Sequence, residues 1–355
     1  MSDISRRELF KQAAAIAAAA PLAGFERDTA AQEPAAPAGP SPVERFFPGG
    51  FTRTQVQTSG ATINVVKGGD GPPLLLLHGA PQTHITWRNV APQLAKQYTV
   101  IIPDLRGYGD SSKPADTPDH VNYSKRNMGL DQVEVMKHFG FDRFPVVGQD
   151  RGGRVGQRLA LDHPDTVTKL AVLDIVPTHY HYTHVTLDFV QAYFHWFNYL
   201  RPAPRDWPNT NPEAPAGRGG RGVGPGGGQP APELELLAQA QAQKSRLPMM
   251  NEVQREYYRA TSNPANIHGM CEDYRASASV DLGYDNADMK AGKKIAAPVL
   301  ALWSTRGPIG RLFDVEAIWK EYAKKVTGKG LDGGHYLQED VPELVMAEIL
   351  PFLKT

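Results

Sequence analysis

The 355-residue chain contains a single cysteine, Cys271. An intramolecular disulfide is therefore impossible, and no cysteine cluster can hold a metal. Cys271 reads as a small packed residue. Charge of either sign is also not in excess, since Lys+Arg and Asp+Glu both number 38 and the formal net charge is zero. No basic face is advertised, so a nucleic-acid partner is not expected. Long apolar runs are lacking as well. The Ala-rich stretch Ala13–Ala20 is too short to span a bilayer, so no membrane span is expected. What remains is a chain that is 41% apolar, enough to bury a sizeable core.

The N-terminus reads Ser5-Arg6-Arg7-Glu8-Leu9-Phe10-Lys11, then the Ala-rich run and Pro21. Paired arginines ahead of a short, weakly apolar stretch resemble a twin-arginine export signal over residues 1–31, which implies a periplasmic location. Residues 32–50, rich in Ala, Pro and Gly, read as a linker with no fold of its own.

Beyond the linker, Thr54–Val66 suits a hairpin turning at Ser59-Gly60. Leu74–Leu77, Val100–Ile102, Pro145–Gly148 and Leu170–Leu173 are continuous apolar runs, as expected of strands buried on both faces. Helical patterns near 87–96, 125–139 and 153–162 separate them. The alternation predicts an α/β fold with a mostly parallel, doubly wound sheet. It stops at Pro177 and resumes at Val299–Trp303 and near Val326. Residues 51–177 and 293–355 are thus the expected core, and 178–292 an inserted helical cap. Within the cap, Arg201–Glu233 is dense in Pro and Gly. It follows no predicted strand and lacks a Gly-Lys-Ser/Thr ending, so it reads as a loop and not a phosphate cradle. Ligands of open α/β sheets bind at the C-terminal strand edge, where such a cap would close over them.

Gly148-Gln149-Asp150-Arg151-Gly152 lies between a predicted strand and a predicted helix, the setting of a nucleophile elbow. A helix-capping aspartate is the plainer alternative. Two features favour the elbow. His335 follows the last predicted strand in Gly333-Gly334-His335, and His78-Gly79-Ala80-Pro81 follows the Leu74–Leu77 strand, where the fold supplies an oxyanion-hole amide.

Over residues 45 to 353 the chain resembles the α/β-hydrolase superfamily and, within it, the haloacetate (fluoroacetate) dehalogenases. The resemblance rests on Asp150-Arg151-Gly152-Gly153-Arg154, His195-Trp196, Met270-Cys271-Glu272-Asp273-Tyr274-Arg275 and Leu173-Asp174-Ile175. It implies that Asp150 attacks a saturated carbon to form an alkyl ester, and that His335 activates the water that cleaves it. The amides of Ala80 and Arg151 would hold the oxyanion. Many relatives place the third acid after the strand that follows the cap. Here that segment, Trp303–Pro308, has no carboxylate, and Asp174 stands at the position the haloacetate dehalogenases use.

Arg151 and Arg154 lie at i and i+3, on one face of a helix N-terminus whose macrodipole disfavours cations. A substrate carboxylate explains both, because the arginine fork matches it. The alternative is an ion pair with a surface acid, which suits Arg154 better than Arg151. The resemblance makes His195 and Trp196 halide donors, with Tyr258 beside them; Tyr257 competes for that place because the two tyrosines are adjacent. Aromatic packing in the cap is the plainer role for all of these. His179, His181 and His184 lack a carboxylate to complete a ligand set, and no metal or cofactor is expected. Asp104–Gly109 reads as a structural loop. The expected substrate is a short 2-haloacid. Epoxide hydrolysis by the same aspartate, or an exported non-catalytic binding protein, are the competing readings. The resemblance leaves a homodimer open.

Overall fold

A computed structural model describes residues 43–204, 207 and 230–354. The expected signal over 1–31, the linker up to residue 42, and most of the Gly/Pro-rich 201–233 stretch lie outside the described residues. The linker expectation needs one correction. Val43–Arg45 forms a helical turn, and Phe47 is only 2% exposed, packed against Phe51 and His84. The aromatic residues in an otherwise small-residue segment anchor 43–51 to the core.

Eight strands form one sheet in the order β1-β2-β4-β3-β5-β6-β7-β8. β1 (Thr52–Gln57) and β2 (Thr62–Gly68) are the expected hairpin, with Gln57 opposite Thr62. β2 also runs antiparallel to β4 (Thr99–Pro103). The rest are parallel: β3 (Pro73–Leu77), β5 (Phe144–Gln149), β6 (Val167–Leu173), β7 (Val299–Ser304) and β8 (Val326–Leu331). Leu74–Leu77 and Val100–Ile102 are wholly buried, as strands covered on both faces require. Alternate side chains feed two apolar clusters, Leu75 and Leu77 on one face and Leu74 and Leu76 on the other.

Helix α1 (Lys125–His138) starts where the Ser124 side chain accepts from the Asn127 amide, and α2 (Arg151–Asp162) follows β5 directly. The 87–96 pattern resolves into two short pieces, the turn His84–Trp87 and the helix Ala91–Leu94. Between β6 and β7 come α3 (Thr178–Thr183), α4 (Leu187–Ala192), α5 (Phe194–Asn198), α6 (Pro232–Gln243), α7 (Glu252–Thr261), α8 (Pro264–Ala276) and α9 (Leu282–Lys290). Asn251 and Gln254 form a capping box on α7, and Asn263 with Pro264 starts α8. Among the described residues no helix is long and apolar enough to cross a membrane.

Candidate active site

Asp150 follows the last residue of β5 with φ 43° and ψ −115°. A non-glycine residue holds such a conformation only where its surroundings impose it. Two glycines permit the turn. A Cβ on Gly148 would lie 2.6 Å from the Gly152 backbone, and one on Gly152 would lie 2.5 Å from the His78 carbonyl oxygen. The strand, the turn and the His78–Pro81 loop therefore pack closer than side chains allow. This brings the Ala80 amide to 3.1 Å from Asp150 Oδ2, where it donates. The Arg151 amide is the first of α2.

His335 lies on the loop after β8, with Nδ1 2.6 Å from Asp174 Oδ2. Asp174 sits just after β6, with φ 55°. Its other oxygen accepts the Ser304 amide at 2.8 Å, and Ser304 Oγ donates to the Gly333 carbonyl at 2.6 Å. The segment that lacks a carboxylate thus supplies an amide that fixes the acid. Asp150, His335 and Asp174, 185 positions apart at the extremes, are one cluster. Gln149 joins it, its amide 3.3 Å from His335 Nε2.

Burial raises the Asp150 pKa, but the charges of His335, Arg154 and Arg151 and the Ala80 amide prevail, and it lies below the usual carboxylate range. Burial lowers His335, yet the hydrogen bond to Asp174 and the charges of Asp150 and Asp174 outweigh it, so its pKa is raised. An ionised carboxylate on a strained turn, beside an oriented histidine, is equipped for nucleophilic attack followed by base-assisted hydrolysis.

The two arginines are buried, 0% and 3% exposed. Their surroundings correct the alternative reading, an ion pair with a surface acid that suits Arg154 better: the ion pair is internal. Arg151 carries it: Nε and Nη2 donate to Asp273 at 3.0 and 2.5 Å, and Nη2 also to Ser277. Asp273 lies on α8, 122 residues away, beyond any spacing argument. The bidentate fork of Arg151 is thus occupied, and only Nη1 lacks an acceptor. Arg154 donates to the Val176 carbonyl and Thr178, with His181 Nδ1 at 3.3 Å. Its Nε has no hydrogen-bond partner and stands 4.0 Å from Asp150 Oδ1. Arg151 lies against the Tyr274 ring at 4.2 Å and Arg154 against Trp196 at 4.5 Å.

A cavity of about 1190 Å³ opens onto Asp150 and His335. His195, Trp196, Tyr257 and Tyr258 from the helical segment line it, as does Ala80 from the core. Burial lowers the His195 pKa, which favours the neutral ring. The Tyr257 hydroxyl donates to Glu339, whereas no bond to the Tyr258 hydroxyl is formed among the described residues. Tyr258 is thus the freer donor of the two. The three histidines of α3 and its end diverge: His179 contacts the Tyr322 hydroxyl, His181 packs beside Arg154, and His184 stacks on Tyr180. Asp104 is buried and accepts from His84, Asn64 and the Asp110 amide, a structural set. Cys271 is buried and free.

Sequence reasoning quoted Asp273 only inside a motif and missed Lys125, which pairs with it. Its signal was present: an acid between Glu272 and Tyr274 in a helix that is buried throughout from Asn266.

A family profile for the alpha/beta hydrolase fold matches residues 72–342. This chain belongs to the α/β-hydrolase family. The hydrolase is 40% identical to a fluoroacetate dehalogenase from Burkholderia sp over 294 residues, 83% of this chain and 91% of that one. It is 32% identical to a soluble epoxide hydrolase from Corynebacterium sp. (strain C12), covering 85% and 97% of the two chains. A solved α/β-hydrolase structure from Nostoc sp PCC 7120 superposes with a TM-score of 0.73 at 46% identity, over 85% of this hydrolase and 98% of that chain.

Proposed function

We propose that this hydrolase removes halide from short 2-haloacids, fluoroacetate among them, through an ester on Asp150. A carboxylate oxygen of Asp150 attacks the carbon bearing the halogen; the carbon–halogen bond breaks and halide leaves with the bonding pair. His335 then takes a proton from water, and the hydroxide attacks the aspartyl carbonyl. The ester bond opens to give the 2-hydroxyacid and restore Asp150. Water is consumed, and halide and one proton are released. Ala80 and Arg151 amides serve the oxyanion, Asp174 orients His335, and His195, Trp196 and Tyr258 solvate the departing halide.

One observation carries the choice of an acid substrate. Two buried guanidinium N–H groups, Arg154 Nε at 4.0 Å from Asp150 Oδ1 and Nη1 of the adjacent residue Arg151, lack acceptors. Such donors are costly unless an anion meets them. The relative named a fluoroacetate dehalogenase supports the same reading. The cavity volume leaves room for substituents at carbon 2.

Purified protein is incubated with fluoroacetate, chloroacetate and a neutral epoxide. Halide release from the acids, lost in Arg154→Gln, is the expected result; no release from either acid would sink the proposal. The epoxide hydrolase reading draws on the free Tyr258 hydroxyl in the cavity and on the 32% identical relative. Epoxide turnover without acid turnover selects it. We further propose export through the Arg6-Arg7 signal. Substituting both by lysine should strand the protein in the cytoplasm, as fractionation would reveal.

A further inference from the structure

Helix α8 does more than carry Asp273 and Tyr274. Four residues apart, and therefore on one face, it carries His268 and Glu272. Opposite them, the loop between β4 and α1 brings Asp116. His268 is 0% exposed. Its Nε2 stands 4.0 Å from Asp116 Oδ2 and makes no hydrogen bond. One ring nitrogen of His268 and one carboxylate oxygen each of Asp116 and Glu272 all lie within 4.8 Å of one another.

We infer that Asp116, His268 and Glu272 bind a divalent transition cation that ties α8 to the core loop. The set of one imidazole and two carboxylates suits zinc or manganese. Ligand atoms held at ~2.1 Å from an ion lie ~3–4 Å apart, so the cluster closes by at most about 1–2 Å on binding.

The surroundings match those of a built site. His268 turns its other nitrogen, Nδ1, toward Glu233 Oε1 at 3.4 Å. A carboxylate behind a ligating histidine fixes its tautomer and aims its free nitrogen at the ion. Glu272 is held in turn: Arg275 donates to it at 2.9 Å, and His120 Nδ1 lies 2.7 Å from its second oxygen. Arg275 also pairs with Glu233 at 2.6 Å. His268 and Glu272 thus each have partners that orient them. The ion joins a core loop to the helix that holds Arg151 in place, so its role is to position α8 and not to touch substrate.

The full-length protein is stripped with EDTA and titrated calorimetrically with ZnCl2, then with MnCl2 and MgCl2, alongside thermal melts. One equivalent of Zn²⁺ or Mn²⁺ should bind and raise the melting temperature, with Mg²⁺ much weaker. Glu233→Gln should weaken binding about 10–100-fold by releasing the histidine, and His268→Gln and Asp116→Asn should weaken it further. Circular dichroism checks that each variant is folded. The inference is overturned if neither Zn²⁺ nor Mn²⁺ binds stoichiometrically. It is equally overturned if His268→Gln and Asp116→Asn bind as tightly as the parent, which would place the ion elsewhere.

Discussion

Asp273→Asn isolates the buried charge pair behind Asp150. The native carboxylate accepts Arg151 Nε at 3.0 Å and Nη2 at 2.5 Å, the Tyr108 hydroxyl at 2.7 Å, and the Lys125 ammonium. Asparagine is nearly the same size, so no cavity forms. It removes one negative charge between two cationic groups and replaces an acceptor with an NH2. Whichever way the amide turns, that donor faces another donor, Arg151 Nη2 with Lys125 or Arg151 Nε with Tyr108. Removing one partner of a buried pair costs about 3–5 kcal/mol. Burial has already pushed Lys125 well below the usual lysine range, so it sheds its proton readily once Asp273 is neutral. That relief sets the expectation at the low end, about 3 kcal/mol, a large share of the ~5–15 kcal/mol typical of a folded protein. With a denaturation slope near 3 kcal/mol per molar, the urea midpoint falls by about 1 M. The double variant Arg151→Gln/Asp273→Asn should lose less than the sum of the single losses by at least about 1 kcal/mol, because neither charge is then stranded. A single-variant loss below about 1 kcal/mol, or strict additivity, refutes the claim that this pair supports the site.

Further outcomes follow from the site. His335→Gln should accumulate an ester on Asp150 when given chloroacetate, read as a mass increase on the intact protein; no adduct with any candidate substrate would favour the non-catalytic reading. A general base works when neutral, so turnover should rise with pH through the raised His335 pKa, above 6.5, and then level off. Asp174→Asn removes the main upward influence, so the inflection of the pH profile should move down and the plateau fall by about 10²–10⁴-fold. Tyr257→Phe should cost about 1 kcal/mol of stability and leave kcat/KM within about twofold, since Glu339 keeps Arg88, Gln82 and Thr86. Tyr258→Phe should instead slow fluoride release about tenfold and chloride release less, a loss equal to one hydrogen bond of about 1.4 kcal/mol to the leaving group.

Features set by local chain chemistry were legible. Strands β3 and β4 read as unbroken apolar runs because helices and loops cover both faces, and β1 and β2 as a hairpin because Ser59-Gly60 permits the turn. Asp150 was legible because an elbow needs small residues at fixed offsets, and the Gly148 and Gly152 contacts show why. His335 and Asp174 could be paired because both follow strands that end on the same edge of the sheet. Features set by the meeting of distant elements were not legible. No spacing links Asp273 to Arg151 and Lys125, and nothing in Trp303–Pro308 announces that Ser304 contributes its amide to Asp174. The packing of Phe47 was masked by the Ala, Pro and Gly around it, since composition averages over the one residue that decides burial.

The corrected arginine assignment changes how charge is shared in the site. Both guanidinium groups lower the Asp150 pKa, and this keeps a carboxylate ionised that burial alone would protonate. Arg151 has most of its hydrogen-bonding capacity committed to Asp273, so its contribution is nearly constant whether or not substrate is bound. Arg154 has no such acid; the oxygen of Asp150 at 4.0 Å is the carboxylate that faces it. On the proposed reaction its charge is divided between the nucleophile and the incoming carboxylate. Binding an acid draws part of that stabilisation away from Asp150 at the moment of attack, which makes the nucleophile more basic and more reactive than it is in the empty site. A neutral epoxide draws nothing from Arg154 and leaves Asp150 as it was. The arrangement therefore favours an anionic substrate twice, once in holding it and once in activating the group that attacks it.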